Sequence, residues 1–457
     1  MPIAPALWKR AQDAAELLRN HEGTVTVVHH IDADGVTSGG IALEALARAK
    51  IPHDSIAVKS MDDFHVLKVK EREAEMLWFC DLGSTVYMQF PQPKVVCDHH
   101  ELVRDGTEEF PGHVNPLLDD LPGTDVSGAG AAFLVARALD PRNDDLLPMA
   151  LVGAAADLQD REHGAFQGSN AQLVEDAVKA GLVQAKTDIA LYGTQSRPLR
   201  NFFAYATEYN LPGMHRRGTE KLCMDLDIPM EPEPTWSELT DEQQRSLLNA
   251  IANRVMDCGG TKDDVQKLTR TVITLNDEPK GPTRELQEFG TLLNSTARYD
   301  RPDIGIAVVR GNRTDAFAEC LDLLKGHRRH LAGALEEVGK AGVTELDHVQ
   351  HVHLQDNVRD TVVGIVCGMA LDALSLNKQK ALIGFAHTPD GRTKVSSRAP
   401  APLQNRGVDL AIAMREASAQ FDGIGGGHKG AAGATIPRGT EEAFVAKVDE
   451  ILAKQLQ

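Results

Sequence analysis

The sequence predicts an α/β protein: a parallel-sheet domain at the N-terminus, a helical insertion, and a smaller α/β domain at the C-terminus. Three observations carry this. Over 1–160, short β-branched runs alternate with Ala- and Leu-rich helical runs, the mark of a parallel sheet covered on both faces. From 161 to 283 helix-forming sequence dominates, and a helical connector follows over 284–345. From 346 to 457 the strand and helix alternation returns.

Taken in order, 5–20 spaces Leu7, Ala11, Ala14, Leu17 and Leu18 as one face of a helix. The run VTVVHHIDADGVT begins with alternating β-branched residues at 24–29 and turns polar at His29, His30, Asp32 and Asp34. A helix over 36–50 follows, then a strand over 55–59. MLWFC at 76–80 reads as a buried strand ending at Asp81, and KVVC at 94–97 as another ending at Asp98, His99 and His100. HVNP at 113–116 marks a short strand and turn. Ser127-Gly128-Ala129-Gly130 starts a helix over 131–138, and the apolar run 146–156 delivers Asp157 at its end.

In the insertion, helices are expected over 170–183 and 241–256, the second opened by a Thr240–Gln243 capping box. The connector contains a helix over 284–298 that ends in Asn294 and Arg298, and further helices over 316–338 and 341–351. The last domain is expected to hold strands at 360–366, 381–386, 393–397 and 434–436, and helices at 408–418 and 441–453. The glycine-rich stretch 423–430 is expected to separate those helices.

Composition narrows the function. Apolar residues are 42% and charged residues 25%, ordinary for a globular chain with a sizeable core. No apolar run approaches the roughly 18 residues needed to span a membrane, and no secretory signal opens the chain. Six cysteines without CxxC spacing indicate reduced thiols and a cytoplasmic setting, with no cysteine-bound zinc. A net charge of −18 argues against coating duplex nucleic acid by bulk attraction. It leaves room for a cleft made locally positive by bound metals. With 5% aromatic residues, a long base-stacking platform is not expected.

The chemistry lies at the strand ends, where open α/β sheets keep their ligand sites. His30, Asp32, Asp34, Asp81, Asp98, His99, His100 and Asp157 come from separate elements and include no thiolate. Oxygen and imidazole ligands without sulfur favour Mn²⁺ or Mg²⁺ over structural zinc. So many groups exceed the needs of one ion. Two ions about 3.5–4 Å apart, bridged by a shared carboxylate, would accommodate them. Each residue also has a plainer use: Asp81 as a turn cap, Asp157 as a surface acid, His29 as a packed ring. Agreement among independent strand ends outweighs those readings.

HIDADG at 30–35, the CDLGS aspartate at 81, DHH at 98–100 and GAAAD at 153–157 resemble motifs I to IV of the DHH phosphoesterases. GGGHKGAAG at 425–433 resembles the glycine-rich signature of the DHHA1 domain, and LLNSTAR at 292–298 is similar to a stretch of RecJ-type nucleases. RELQEFGTLLN and RPDIGIAVV point to the archaeal RecJ-like branch, which includes the nuclease associated with the GINS replication complex.

The resemblance implies a DHH catalytic domain (1–160) and a DHHA1 substrate-binding domain (346–457), with the active site in the cleft between them. It implies one Mn²⁺ held by His30, Asp32 and Asp81, and a second held by Asp34, Asp81, His99 and Asp157, with Asp81 bridging. It places His100 at the scissile phosphate, with Asp98 orienting the histidines. Where RecJ has an aspartate two positions before the DxD pair, this chain has His30. Substrate contacts are expected from Asn294, Arg298, Ser397, Arg398, Gly425, Gly426, Gly427 and His428.

The expected activity is a Mn²⁺-dependent exonuclease on single-stranded DNA or RNA, in replication or repair. The alternatives are hydrolysis of oligoribonucleotides or cyclic dinucleotides, and a GINS-bound replisome scaffold with little catalysis.

Overall fold

The computed structural model describes residues 3–102, 110–206, 209, 211–374 and 376–456, with 327, 328, 330, 372 and 373 described in the backbone alone. The chain forms two compact units, 1–324 and 325–457.

The first unit begins with α1 (Pro5–Arg19), β1 (Val25–His30), α2 (Ala33–Ala49), β2 (His53–Val58), α3 (Asp63–Lys70), β3 (Met76–Cys80), β4 (Lys94–Cys97) and β5 (His113–Val114). The five strands form one sheet in the order β2-β1-β3-β4-β5, parallel throughout. Period-2 alternation sends successive side chains to opposite faces. Val25, Val27, Met76, Trp78, Val95 and Cys97 enter the larger core. Val28, Leu77, Phe79 and Val96 enter a second core with Val66 and Val69 of α3. Both faces are buried, so the strands read as continuous apolar runs. Each fully buried aliphatic or aromatic side chain contributes about 1.5–3 kcal/mol before chain entropy is counted. The result is a rigid sheet whose carboxyl ends can hold several charged groups in fixed positions.

Next come α4 (Gly128–Leu139), α5 (Leu147–Ala156), α6 (Gly168–Lys179) and β6 (Val183–Ile189), then the helices α7 (Leu199–Ala204), α8 (Arg216–Asp225), α9 (Asp241–Asp257) and α10 (Lys262–Gln266). β7 (Thr269–Leu275) returns antiparallel to β6. The helices between the two strands share their own core of Phe202, Phe203, Leu222, Trp236, Leu247 and Ile251. The expected helix over 170–183 therefore stops at Lys179, and Val183 starts a strand. That strand reads VQAKTDI, mostly exposed between its two buried ends, so no apolar alternation marks it. The capping box at Thr240 and Gln243 forms as expected.

α11 (Leu286–Arg298), α12 (Pro302–Val309) and α13 (Asp315–Ala341) follow, and the boundary between units falls within α13. The second unit contains β8 (Thr344–Glu345), β9 (Val349–Gln355), α14 (Val363–Ala373), β10 (Ala381–His387), β11 (Arg392–Arg398), α15 (Ala401–Asn405), α16 (Leu410–Ser418), β12 (Ile424–His428), β13 (Ala431–Pro437) and α17 (Glu441–Gln455). Its six strands run in the order β12-β13-β11-β10-β9-β8.

Two expectations are corrected here. The helix over 341–351 is replaced by β8 and β9. The strand over 360–366 is replaced by the start of α14: Val363, Val366, Cys367 and Ala370 sit at helical spacing and pack into one core, overriding the β-branched character of the valines. The glycine-rich stretch separates α16 from α17 as expected, and within it β12 is an edge strand paired antiparallel with β13.

Among the described residues no helix is long and apolar enough to cross a membrane.

Candidate metal centre

Five chain segments deliver the charged groups. His30 is the last residue of β1. Asp32 caps α2, its carboxylate accepting the Gly35 N–H at 2.9 Å. Two residues on, buried Asp34 accepts from the N–H groups of Gly128 at 2.7 Å and Ala129 at 3.0 Å, at the start of α4. A helix N-terminus favours a carboxylate there. Asp81 follows β3 in a left-handed conformation, φ 64°, with its N–H still donating to the Cys97 carbonyl at 2.8 Å. That backbone conformation in a non-glycine residue costs about 1–3 kcal/mol and clusters at functional sites. Asp98, His99 and His100 follow β4, and Asp157 follows α5.

The elements meet closely because two glycines let them. A Cβ on Gly128 would lie 2.6 Å from the Cβ of Asp81, and one on Gly153 would lie 2.3 Å from Asp34 Oδ1.

The side chains converge in two groups that share Asp81. His30, Asp32 and Asp81 form one, and Asp34, Asp81, His99 and Asp157 the other, with ligand atoms within 4.8 Å of one another in each; His100 comes equally near Asp81 and His99. His30 Nδ1 lies 2.9 Å from Asp32 Oδ2 and 3.3 Å from Asp81 Oδ2. His99 Nε2 lies 3.3 Å from Asp81 Oδ1, 3.2 Å from Asp157 and 3.8 Å from Asp34. Each oxygen of Asp81 thus faces a different group.

The opposite ring nitrogens are taken up by backbone carbonyls. His30 Nε2 faces Lys59 O at 3.2 Å, and His99 Nδ1 faces Gly123 O at 3.0 Å. Those contacts place the N–H on the outer nitrogens and turn a lone pair toward the carboxylates, the tautomer a metal-binding histidine requires. His30 Nδ1, His99 Nε2 and Asp81 Oδ1 are buried with no hydrogen-bond partner.

Electrostatics state the same need. Burial pushes Asp34 well up, and the Asp81 and Asp157 charges add to it. Asp157 is raised for the same first reason, burial. Burial also opposes ionisation of Asp81, yet His30 and His99 hold it below the usual carboxylate range. Burial disfavours charge on the histidines, but the carboxylates prevail and raise His30 to about 11 and His99 to about 12. The cluster demands positive charge at these two places; a proton supplies one unit and a divalent cation two. Three orphaned buried atoms, all oxygen or imidazole nitrogen, fit a pair of hard or borderline divalent cations.

Beside the groups stands His100, with half-exposed side chain and Nδ1 2.8 Å from Asp98 Oδ1. Asp98 is buried and also accepts from the N–H groups of Ser84 at 3.0 Å and His99 at 2.8 Å. Burial works against its charge, but the His100 contact brings it down to about 2. Asp98 in turn raises His100. His29 belongs to neither group. Its ring is buried against Gly39, its Nδ1 faces His30 O at 2.8 Å, and burial lowers it to about 4.

Other expected contacts are placed differently. Asn294 Oδ1 accepts the Ala33 N–H at 3.0 Å, so its acceptor supports α2. Asn294 also lines a cleft of about 810 Å³ with Arg161, His163, Tyr192, Lys267 and Arg270. Burial lowers Arg298. Ser397, expected to contact substrate, is buried and its hydroxyl donates to Ala432 O at 2.9 Å, a cross-strand bond. Arg398 donates to the Ser397 carbonyl at 2.8 Å. Gly425, Gly426 and Gly427 lie on edge strand β12, and His428 at its end is exposed.

Sequence reasoning missed the anchors of His30 and His99. Two are backbone carbonyls, which leave no side-chain signal. The third is Gln159, whose Nε2 donates to Gly123 O at 3.3 Å beside His99. The start of α4 is legible as a glycine-broken helix opening, but not as the support of Asp34.

Residues 191–269 match the DHH-CID domain and residues 347–454 the DHHA1 domain. An uncharacterised protein of Methanocaldococcus jannaschii, MJ0831, is 26% identical over 456 residues, covering 97% of this chain and 96% of that one. The crystal structure of RecJ from Thermus thermophilus in complex with Mn²⁺ is similar in fold, with TM-score 0.61 and 18% identity over 99% of this chain. This chain spans 55% of that RecJ. The structure of CDC45 from Entamoeba histolytica is similar with TM-score 0.64 and 10% identity, over 97% of this chain and 99% of that one.

Proposed function

We propose that this DHH/DHHA1 protein of RecJ-like fold is a two-metal phosphodiesterase: a Mn²⁺-dependent exonuclease on single-stranded DNA or RNA, acting in replication or repair. One observation carries the reading. Asp81 belongs to both ligand groups and turns one oxygen to each, the arrangement a bridging carboxylate needs. His30, Asp32 and Asp81 would hold one cation, and Asp34, Asp81, His99 and Asp157 the other. When bound, such a pair acidifies water and neutralises charge on a phosphoryl group.

The chain's own groups do the rest. Asp98 holds His100 by Nδ1, which fixes the ring and leaves Nε2 as the nitrogen that meets substrate. The raised affinity of His100 for a proton suits it to give a charged hydrogen bond to a phosphate oxygen and to protonate the leaving oxygen. The cleft beside Asn294, whose walls carry Arg161, Lys267 and Arg270 together with Glu162, Asp263 and Asp264, has room for a nucleotide.

The test is digestion of end-labelled single-stranded DNA and RNA with Mn²⁺, Mg²⁺ or chelator. Metal-dependent release of mononucleotides from long single strands supports the reading. Turnover confined to dinucleotides would instead favour the short-substrate alternative.

A second, compatible reading is a replisome scaffold bound to GINS. Its support is the helical subdomain between β6 and β7, which has its own core and exposes Tyr205, Met224 and Met256. Exposed apolar side chains on a self-contained subdomain suit a protein partner. Retention of GINS in a pull-down after deletion of 190–268 would exclude this surface.

A further inference from the structure

The second unit contains a group of metal-ligating atoms unrelated to the Asp81 centre. His351 and His353 lie two residues apart on β9 and therefore face the same side of the sheet. Glu442, in the first turn of α17, meets them there. His351 Nδ1 is 3.2 Å from His353 Nε2, and His353 Nε2 is 3.1 Å from Glu442 Oε1. The three ligand atoms lie within 4.8 Å of one another.

A single N–H or lone pair on His353 Nε2 cannot serve both His351 Nδ1 and Glu442 at once. With both imidazoles neutral, a His351 N–H donating to His353 Nε2 turns that nitrogen's only lone pair away from any role with Glu442 and leaves the carboxylate facing an acceptor. A His353 N–H donating to Glu442 instead leaves the His351 lone pair without a donor of its own. A cation between the three satisfies all of them. Zinc–nitrogen bonds of about 2.0–2.1 Å in tetrahedral geometry place ligand atoms about 3.3 Å apart, close to the two spacings found.

The site is also built to hold its ligands. His351 is 3% exposed, and the His353 ring stacks on Phe385 with centroids 4.7 Å apart and planes 15° apart. Glu442 is on the surface and free to adjust. A cavity of about 180 Å³ beside the site touches His353, His387, Arg438 and Glu441. The N-terminus of α17 repels a cation, and the adjacent carboxylates of Glu441 and Glu442 counter it.

We infer that His351, His353 and Glu442 form a second metal site, which takes a borderline divalent cation of the zinc class and fastens β9 to the first turn of α17. Two imidazoles with one carboxylate select zinc, cobalt or nickel over Mn²⁺ and Mg²⁺. The Asp81 centre should prefer the harder ions, so the two can be filled separately.

The test uses the full chain, stripped with chelator and held in excess Mg²⁺ while Zn²⁺ is titrated and bound zinc counted. The wild-type chain should retain one zinc that Mg²⁺ does not displace. Glu442→Gln, a surface change that leaves the fold intact, should weaken it by about tenfold or more, and His353→Asn should remove it. With Co²⁺ in place of Zn²⁺, the visible absorption band should persist in Asp81→Asn and vanish in His353→Asn. Equal zinc binding by the wild type and both variants overturns the proposal. So does a wild-type chain that holds no zinc under these conditions, or a cobalt band lost in Asp81→Asn.

Discussion

The side-chain oxygen of Asn294 accepts the backbone N–H of Ala33 at 3.0 Å, and Ala33 stands between Asp32 and Asp34. α11 thereby fixes the first turn of α2, where two carboxylates of the candidate metal centre are mounted. Asn294→Ala leaves a part-buried donor unpaired, which costs about 1–3 kcal/mol. It should lower the melting temperature by a few degrees and weaken Mn²⁺ binding by about 10–100-fold, the usual effect of removing a ligand's support. Calorimetric titration with Mn²⁺ beside a thermal melt checks both.

Asp81→Asn replaces the carboxylate shared by the two groups with a neutral isostere. Nuclease activity should fall by at least about 10³-fold, and bound Mn²⁺ should drop from two per chain to one or none. The chelated protein should stay folded but lose stability, because His30 and His99 lose the buried carboxylate that pairs with both. Metal counting and melts in chelator separate these effects; a chain that keeps both metals contradicts the bridging role.

His100→Ala should lower kcat by about 10²–10⁴-fold while both metals stay bound, since His100 is tied to Asp98 and exposed toward solvent. Asp98→Asn should act in the same direction by releasing the ring. Activity assays paired with metal stoichiometry distinguish this outcome from loss of the metals.

Glu288, buried on α11, accepts the Gln195 N–H at 2.8 Å and has its other oxygen without a partner. Burial, reinforced by Glu285, raises its carboxyl to about 7. The folded state therefore holds a proton that the unfolded state has released above its ordinary value. That contribution is fully present at acidic pH and declines as pH rises from about 4.5 to about 7, by an amount on the order of 2–3 kcal/mol. Glu288→Gln should remove the decline and raise stability at alkaline pH relative to the wild type. Urea unfolding of both proteins across that range, in chelator, gives the difference directly.

The candidate metal ligands are legible because each sits where a buried strand or helix abruptly ends, and such endings are written in residue type. Asp81 after MLWFC and Asp98 after KVVC are two of these. Their partners are less so. Gly123 and Lys59 contribute carbonyls, which any residue carries. Ser397 has the look of an available hydroxyl and is buried in a sheet, because a polar residue in a short β-branched run can equally face inward when a cross-strand carbonyl receives it. In the second unit, the β-branched residues of 360–366 suggest a strand, while the packing of Val363, Val366 and Ala370 makes the segment helical. Local pattern locates the chemistry; long-range packing decides which groups support it.

The ribbon of β6 and β7 has one more consequence. Ile189 and Thr269 are direct partners in its register, so the polypeptide departs for the helical subdomain and comes back at neighbouring points. An excursion anchored that way can be enlarged, trimmed or traded between lineages with little disturbance to the parallel sheet. A partner-binding surface could therefore change on this arm while the acids and imidazoles at the strand ends keep their places.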